Sequence, residues 1–221
     1  TGAQLALAIF DLDNTLIAGD SDHRWGEFIC ASGLVDARQH TAQNDTFLQN
    51  YQDGTLDIQA YLNFALGALA GLTTQQVARL QQEFMEDWVE PLILSAAENL
   101  LKKHRELGDT LLIITATNTV VTRPIADRLD VKHLIGCDAE CLNGVYTGRP
   151  TGIPSFQEGK ITRLKEWLKT QQTPWDTTHF YSDSHNDLPL LKWVDHATAV
   201  DPDPRLRAFA AAQGWPIISL R

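Results

Sequence analysis

The sequence predicts an α/β fold in which a doubly wound parallel sheet carries an inserted α-helical cap domain. Residues 91–221 alternate short apolar segments with helical patterns, as expected for parallel strands joined by crossover helices. A further apolar segment, Leu5–Phe10, stands alone near the start of the chain. Between them, Asp20 to Val89 has apolar residues at helical spacing and no convincing strand. We therefore expect residues 1–16 and 91–221 to form the core and residues 17–90 the cap.

The predicted cap contains about four helices. Its apolar residues recur three or four positions apart, and turn residues at Asp53-Gly54 and Gly71-Leu72 separate the helical stretches. Thr73 is a suitable N-cap for the last of these helices. Because this block follows the first strand directly, we expect it to cover the carboxyl edge of the sheet as a lid.

The core elements follow in chain order after Pro91. Gly108 ends the first helix, Asn143-Gly144 is a typical hairpin turn, and glycines and prolines between residues 148 and 154 indicate a loop. The alternation of strands and helices is typical of a Rossmann-like sheet. The predicted elements are a helix over Leu92–Leu107, a strand over Thr110–Ile114, a helix over Thr119–Leu129, a hairpin over Gly136–Thr147, a helix over Gly159–Thr170, a strand over Thr178–Tyr181, a helix over Leu188–Trp193, a strand over Ala197–Val200, a helix over Pro204–Gln213 and a strand over Pro216–Leu220.

The composition limits the partners of the chain. Its 221 residues are 43% hydrophobic, which is enough for a full core. A net charge of −10 argues against nucleic acid or an anionic membrane as a partner. No apolar run approaches the roughly 18 residues of a membrane span, and we see no targeting pattern at the start. Three cysteines without disulfide spacing favour a cytoplasmic protein.

Two aspartates, Asp11 and Asp13, follow the first strand directly. Just past a strand end both carboxylates can face the crevice where open α/β sheets bind ligands. Two carboxylates about 4 Å apart repel by roughly 4 kcal/mol at an effective dielectric constant near 20. A metal ion, a proton or a lysine must therefore offset this repulsion.

Other polar residues occupy comparable positions along the core. Thr115 follows an apolar strand and precedes a helix. Its hydroxyl and the next backbone N–H groups, beginning with that of Ala116, could hold a phosphate oxygen with help from the helix N-terminus, although threonine is also a common N-cap. Lys160 lies at a helix start, where many lysines are merely solvated. Asp183 and Asp187 follow another strand, where a capped turn is the alternative.

Taken together, these residues suit a phosphoryl-transfer site. Four carboxylates carry a charge of −4, whereas Mg²⁺ and one lysine return +3, and one proton balances the remainder. We expect the metal and the lysine to bind phosphate oxygens while a protonated carboxyl acts as an acid.

These motifs resemble those of the haloacid dehalogenase-like hydrolase superfamily. DLDNT (residues 11–15) resembles its nucleophile motif, Thr115 its phosphate-binding hydroxyl, Lys160 its lysine, and SDSHND (residues 182–187) its second acidic motif. A helical cap between the first two motifs resembles the phosphoserine-phosphatase-like subfamily. The resemblance covers essentially the whole chain. It implies a phosphatase, because the dehalogenases of the family lack an aspartate at the position of Asp13.

The resemblance also implies roles for the residues. Asp11 would attack phosphorus and become an aspartyl phosphate, and Asp13 would protonate the leaving alcohol and then activate water. Asp11, the backbone carbonyl of Asp13, and Asp183 would bind Mg²⁺. Asp187 would lie next to these ligands without binding the metal itself, and it would pair with Lys160.

The second acidic motif departs from the family pattern. Ser184 stands where glycine is common, and His185 follows it. We consider two roles for His185, packing alone or a hydrogen bond to solvent near the metal.

The substrate depends on the cap. Phosphoserine phosphatases have a glutamate for the substrate ammonium where this chain has Asp20, with Asp22 close by; Asp20 could equally be a helix cap. The subfamily's cap arginine, which binds the substrate carboxylate, is missing from LDIQAYLNFALGAL (residues 56–69). We therefore expect a phosphorylated amino alcohol such as histidinol phosphate. Phosphoserine and phosphatidylglycerophosphate are the alternatives.

Further cap and loop residues are candidates for the substrate pocket. Trp25, Phe28 and Phe64 could form an apolar wall, although most such residues belong to a core. The unranked polar candidates are Arg24, Arg149 and Gln157.

Two other classes of protein compete with a phosphatase. A signalling receiver domain also combines clustered acids with a threonine and a lysine, but it is about half this length and has no cap. A non-catalytic phosphate-binding relative is the other alternative, although no acid of the motifs is missing here.

Overall fold

A computed structural model of the chain describes residues 5–172 and 174–221. The expectation that no targeting segment is present rests partly on residues 1–4, which lie outside the described residues. The helices and strands are β1 (Ala6–Phe10), α1 (Ser21–Ala31), α2 (Ala37–Asp53), α3 (Ile58–Gly67), α4 (Thr74–Phe84), α5 (Ser95–Leu107), β2 (Thr110–Asn118), α6 (Thr119–Arg128), β3 (His133–Leu142), β4 (Val145–Thr151), α7 (Glu158–Lys169), β5 (Thr177–Ser182), α8 (Leu188–Trp193), β6 (His196–Val200), α9 (Pro204–Gln213) and β7 (Ile217–Ile218).

The strands form one sheet in the order β4-β3-β2-β1-β5-β6-β7. All neighbouring pairs are parallel except β3 and β4, which form the predicted antiparallel hairpin at one edge. At the end of β1, Phe10 is aligned with Ile113 of β2 and Tyr181 of β5. The carboxyl ends of β1 and β5 therefore lie side by side, next to the middle of β2. The predicted α/β class and parallel core are confirmed.

The sheet buries both of its faces, and β1 is fully buried along its length. Because successive side chains of a strand point to opposite faces, Ala8 and Phe10 belong to one hydrophobic cluster whereas Leu7 and Ile9 belong to the other. A strand that is apolar throughout is what a central position in such a sheet requires.

The cap is built from α1 to α4, as the helical spacing predicts. Aspartates cap the first three helices, and Thr73 caps the fourth in a capping box with Gln76, as predicted. Trp25 and Phe84 of the cap pack in the same hydrophobic cluster as Phe10 of the sheet. The cap is thus continuous with one face of the core, and its limits at residues 17 and 90 stay a prediction.

Three predicted strand regions differ clearly from the observed ones. The predicted hairpin over Gly136–Thr147 is longer in the structure, because β3 begins at His133 and β4 continues to Thr151, into the predicted loop. β2 continues past Ile114 because, after a register shift, Asn118 pairs with Cys137 of β3. The last strand is shorter than predicted, since only Ile217 and Ile218 pair with β6. In the described part of the chain, no helix is both long and apolar enough to cross a membrane.

Gly26 sets the distance between α1 and α2. A Cβ atom at this position would lie 2.4 Å from Nδ2 of Asn44. We predict that Gly26→Ala lowers the free energy of unfolding by about 1–3 kcal/mol through overpacking, measured by urea denaturation. Gly67→Ala is the matched control, because a Cβ there meets nothing within 4 Å. Equal stabilities for the two variants would contradict this prediction.

Candidate active site

The loop after β1 presents Asp11 and Asp13 at the carboxyl edge of the sheet. The backbone N–H of Asp11 donates to the carbonyl of Tyr181 on β5 (2.9 Å), which fixes the loop to the neighbouring strand. The carbonyl of Leu12 accepts from the N–H groups of Thr15 and Leu16, and Asn14 adopts a left-handed conformation with φ of 57°. Asparagine tolerates this conformation better than most residues. The motif therefore forms a tight turn rather than a continuation of the strand.

Lys160, in the first turn of α7, lies between two acids. Its Nζ is 3.1 Å from Oδ1 of Asp11 and 2.7 Å from Oδ1 of Asp187, and all three side chains are buried. Burial alone would lower the pKa of the lysine, but the charges of Asp11 and Asp187 offset this effect and raise it. Lys160 is therefore held as a cation.

Asp183 and Asp187 are held by hydroxyl groups. The Thr15 hydroxyl donates to Oδ1 of Asp183 (3.0 Å), and the Ser182 hydroxyl donates to Oδ2 of Asp187 (2.6 Å). Burial, followed by the charges of Asp11 and Asp187, raises the pKa of Asp183 well above its usual range. Burial also raises the pKa of Asp11 to about 7 although Lys160 opposes it. The site thus concentrates more negative charge than its lysine neutralises.

Asp13 has different partners from Asp11. Its Oδ1 accepts from the backbone N–H of Ser21 in the cap (2.6 Å), and its Oδ2 accepts from the Thr117 hydroxyl (2.8 Å). Burial, followed by the charge of Asp20, raises the pKa of Asp13 to about 6, while the hydrogen bonds of Ser21 and Thr117 oppose the rise. The two acids of the motif therefore face different environments.

Thr115 lies in the irregular part of β2 rather than next to a helix start. α6 begins at Thr119, with Asn118 as its N-cap. The prediction that Thr115 follows the strand and directly precedes a helix is therefore wrong, because β2 continues after a register shift to Asn118. Help from the helix N-terminus in binding phosphate stays a prediction. The Thr115 hydroxyl is buried and accepts from the N–H of Thr117 (3.1 Å). Thr115 and Ala116 still line the cavity next to Asp11.

A cavity between the cap and the sheet brings the motifs together. Polar groups of the core line the end of the cavity next to the sheet. Apolar and aromatic side chains of α2 and α3 line the end next to the cap. No lysine or arginine of the described residues lines it. The lining residues are Asp11, Asp13, Asn14, Asp20, Asp22, His23, Asn44, Phe47, Leu48, Tyr51, Leu56, Ile58, Tyr61, Thr115, Ala116, Thr117 and Asp183.

Asp20 and Asp22 both reach this cavity, but with different surroundings. Oδ1 of Asp20 accepts from the backbone N–H groups of Asp22 (3.0 Å) and His23 (2.8 Å), so Asp20 is the N-cap of α1. Asp22 follows in the first turn, and its side chain is buried.

The predicted apolar and polar pocket candidates do not line this cavity. Trp25 and Phe28 pack in the hydrophobic cluster beneath the cap, and Phe64 stacks on His40. These rings point away from the cavity because they pack in the interior of the cap. Three polar candidates also have partners elsewhere: Arg24 with Glu27, Arg149 with Glu140, and Gln157 with Asn186.

The loop after β5 connects the core to the end of α2. The Tyr51 hydroxyl donates to Oγ of Ser184 (3.1 Å), and Nδ2 of Asn186 donates to the carbonyl of Tyr51 (3.0 Å). His185 bonds through Nδ1 to Asp203 (2.8 Å), and its Nε2 lies 2.9 Å from where a Cβ at Gly54 would be. His185 therefore packs under the C-terminus of α2 and also bonds to Asp203, which is more than the packing alone of its first expected role. A hydrogen bond to solvent near the metal stays a prediction.

Several residues of the site lie outside the predicted set. Thr117, Thr15 and Ser182 orient the acids, and the upper cavity wall includes Phe47 and Tyr51. Phe47 and Tyr51 are four residues apart, so helical spacing indicates a shared face of α2 without indicating that it faces the site. Thr15 and Ser182 lie within the two acidic motifs but have no predicted role, whereas no pattern in the sequence marks Thr117.

Comparison with known proteins identifies the family. The family model described as haloacid dehalogenase-like hydrolase matches residues 8–192, from β1 to α8. This chain belongs to the haloacid dehalogenase-like hydrolases. A histidinol-phosphatase of Neisseria meningitidis serogroup C (strain 8013) is 43% identical over 97% of this chain and 99% of that protein. Phosphoserine phosphatase SerB1 of Mycobacterium tuberculosis is 29% identical over 98% of this chain and 71% of that protein.

Solved structures share the fold of this chain. A protein of unknown function from Bordetella pertussis Tohama I has 39% sequence identity and a TM-score of 0.93 over 99% of this chain and 100% of that one. A substrate-bound phosphoserine phosphatase has a TM-score of 0.70 over 100% of this chain and 94% of that one, but at 15% identity it shows the fold alone. The predicted membership of this hydrolase family and the predicted phosphatase activity are confirmed.

Gly159 allows Lys160 to reach the two acids. A Cβ at this position would lie 2.1 Å from the carbonyl oxygen of Pro154. We predict that Gly159→Ala displaces the start of α7 and lowers kcat/KM for a phosphomonoester by at least about tenfold, because small displacements of catalytic groups are costly. Steady-state kinetics test this prediction. The neighbouring exposed residue provides the control Glu158→Ala, and equal activity of the two variants would contradict the prediction.

Proposed function

We propose that this haloacid dehalogenase-like hydrolase is a Mg²⁺-dependent phosphomonoesterase that acts through an aspartyl phosphate on a small cationic amino-alcohol phosphate such as histidinol phosphate. The observation that carries the proposal is the contrast between Asp11 and Asp13. They face one cavity, but Asp11 bonds to a buried ammonium and Asp13 bonds to two uncharged donors. Two carboxyls in different environments suit a nucleophile and an acid–base residue.

Asp11 is the proposed nucleophile. Lys160 engages Oδ1, which leaves Oδ2 to attack phosphorus while the bond from phosphorus to the substrate alcohol breaks. Lys160 opposes the rise in the pKa of Asp11 that burial causes, and it contributes positive charge beside the transferring phosphoryl group. Thr115 and Ala116, which line the same end of the cavity, are the proposed donors to the phosphoryl oxygens.

Asp13 is the proposed proton carrier. Its pKa of about 6 permits both protonation states near neutral pH. The protonated acid gives its proton to the leaving alcohol, and the carboxylate then takes a proton from the water that cleaves the aspartyl phosphate. The Thr117 hydroxyl can donate to the carboxylate or accept from the acid, so one partner serves both states.

The donor set at this site fits Mg²⁺. Asp11 is buried and Asp183 is half-buried, and the pKa values of both are raised partly by neighbouring negative charges, which a divalent cation would neutralise. In residues 5–172 and 174–221, no three His, Cys, Asp or Glu side chains form a ready metal cluster. The residues that would hold Mg²⁺ are Asp11 and Asp183 through their carboxylates and Asp13 through its backbone carbonyl, because Mg²⁺ prefers oxygen donors. When bound, the metal supplies positive charge to the phosphoryl group.

The cavity supports a cationic substrate without a carboxylate. Its described lining residues include five aspartates and neither lysine nor arginine, so a substrate carboxylate would face only negative or neutral groups. The aromatic wall from Phe47 to Tyr61 suits a flat ring. The name of the Neisseria relative, histidinol-phosphatase, points to such an amino alcohol. The expected cytoplasmic location stays a prediction.

The role of Asp11 is tested by Asp11→Asn. We predict that this variant loses hydrolysis of p-nitrophenyl phosphate with Mg²⁺ by at least about 10³-fold, because the amide is a poor nucleophile. Asp36→Asn is the matched control, because Asp36 is exposed and only caps α2, a function that asparagine also performs. Retained turnover in Asp11→Asn would overturn the nucleophile assignment.

A substrate panel tests the proposed chemistry of the cavity. We predict that histidinol phosphate has a kcat/KM roughly 10- to 100-fold above that of phosphoserine, because the phosphoserine carboxylate has no cationic partner. Measurements with Mg²⁺, with a chelator, and after Mg²⁺ is restored establish the metal dependence. A preference for phosphoserine would contradict the substrate proposal while leaving the phosphatase assignment intact.

A further inference from the structure

We infer that Asp22, rather than Asp20, binds the positively charged group of the substrate and so determines specificity. This inference rests on the proposed function, because it concerns how the same cavity selects a cationic phosphomonoester. The two acids lie two residues apart at the start of α1 and both line the cavity. Their hydrogen bonds distinguish them.

Asp20 already has a structural role. Its Oδ1 accepts from two backbone N–H groups, at 3.0 and 2.8 Å, that the first turn of α1 would otherwise leave unpaired. Asparagine, serine and aspartate cap helices about equally well. The position therefore needs a side-chain acceptor, and the cap itself does not require a full negative charge.

Asp22 has no comparable role. Its side chain is 8% exposed, and within the described residues its Oδ1 is buried without a hydrogen-bond partner. A buried carboxyl without a partner is unfavourable for folding, and nearby Asp20 and Asp13 add like charge. Burial, followed by the charges of these two neighbours, raises the pKa of Asp22 well above its usual range. The site gains stability if a ligand brings the missing donor.

The surroundings specify the kind of donor. The groups that share this part of the cavity are acids, the amide of Asn44 and His23, whose Nε2 is taken by Asp45 (2.8 Å). A neutral hydroxyl would pair one oxygen but leave the acids uncompensated. A primary ammonium supplies up to three N–H donors together with a positive charge. The phosphoryl group would lie at Asp11, and the ammonium at Asp22.

The test compares two identical changes two residues apart. In the Mg²⁺-loaded enzyme, Asp22→Asn should lower kcat/KM for histidinol phosphate by roughly 10- to 100-fold relative to kcat/KM for the same phosphate ester without its amino group. The loss should arise in KM rather than in kcat. Asp20→Asn, which retains the cap, should change this ratio several-fold less. An equal or larger effect of Asp20→Asn would overturn the inference.

Thermal unfolding separates recognition from a structural role. Without substrate, Asp22→Asn should leave Tm unchanged or raise it, because the variant removes an unpaired buried carboxyl. A lower Tm together with equal losses on both esters would show that Asp22 is structural and would overturn the inference. Asp20→Ala, by contrast, should lower Tm because it removes the cap of α1.

The outcomes also distinguish this inference from the proposed function. If the wild-type enzyme hydrolyses both esters with similar kcat/KM, the phosphatase assignment stands and recognition of the ammonium by Asp22 is wrong. If it hydrolyses neither ester nor p-nitrophenyl phosphate, the proposed function itself fails.

Discussion

The buried ammonium of Lys160 is the interaction on which the active site depends. It bonds to Asp11 from the loop after β1 and to Asp187 from the loop after β5, and the three side chains are almost inaccessible to water. An isolated buried charge costs far more than a hydrogen bond returns, so each member requires the others. The ion pairs therefore fix α7 against both loops. Truncation of one partner would leave the remaining charges uncompensated as well as altering the chemistry.

The two acids of the first motif differ in the hydrogen-bond donors that reach them. Asp11 has a cation, whereas Asp13 has a backbone N–H of the cap and a hydroxyl. Because Ser21 of the cap contributes that N–H, the acid–base candidate of the core is partly oriented by the inserted domain. In the proposed mechanism, the cap would therefore contribute to the chemical step as well as to the cavity wall.

The architecture could be predicted from the sequence because its patterns are local. The apolar β1, the Asn143-Gly144 turn and the helical spacing of the cap each follow from neighbouring residues. The path of β2 beyond Ile114 could not be predicted from local patterns, because it depends on pairing with residues of β3 that lie later in the chain. The limits of the cap stay a prediction.

For the candidate site too, local features could be predicted from the sequence and tertiary contacts could not. The acids and Lys160 stand at predictable strand and helix ends, and the structure brings Asp11, Asp187 and Lys160 into contact. The cavity wall could not be predicted, because periodicity gives a helix a face without saying what that face meets. Trp25 and Phe47 are both aromatic cap residues, yet only tertiary packing places the first in the core and the second at the cavity.

The attachment of Tyr51 to the loop of Ser184 and Asn186 has a mechanical consequence, because this loop directly follows Asp183. Movement of α2 away from the sheet would break both hydrogen bonds, so an opening of the cavity at α2 would also release the loop that follows Asp183.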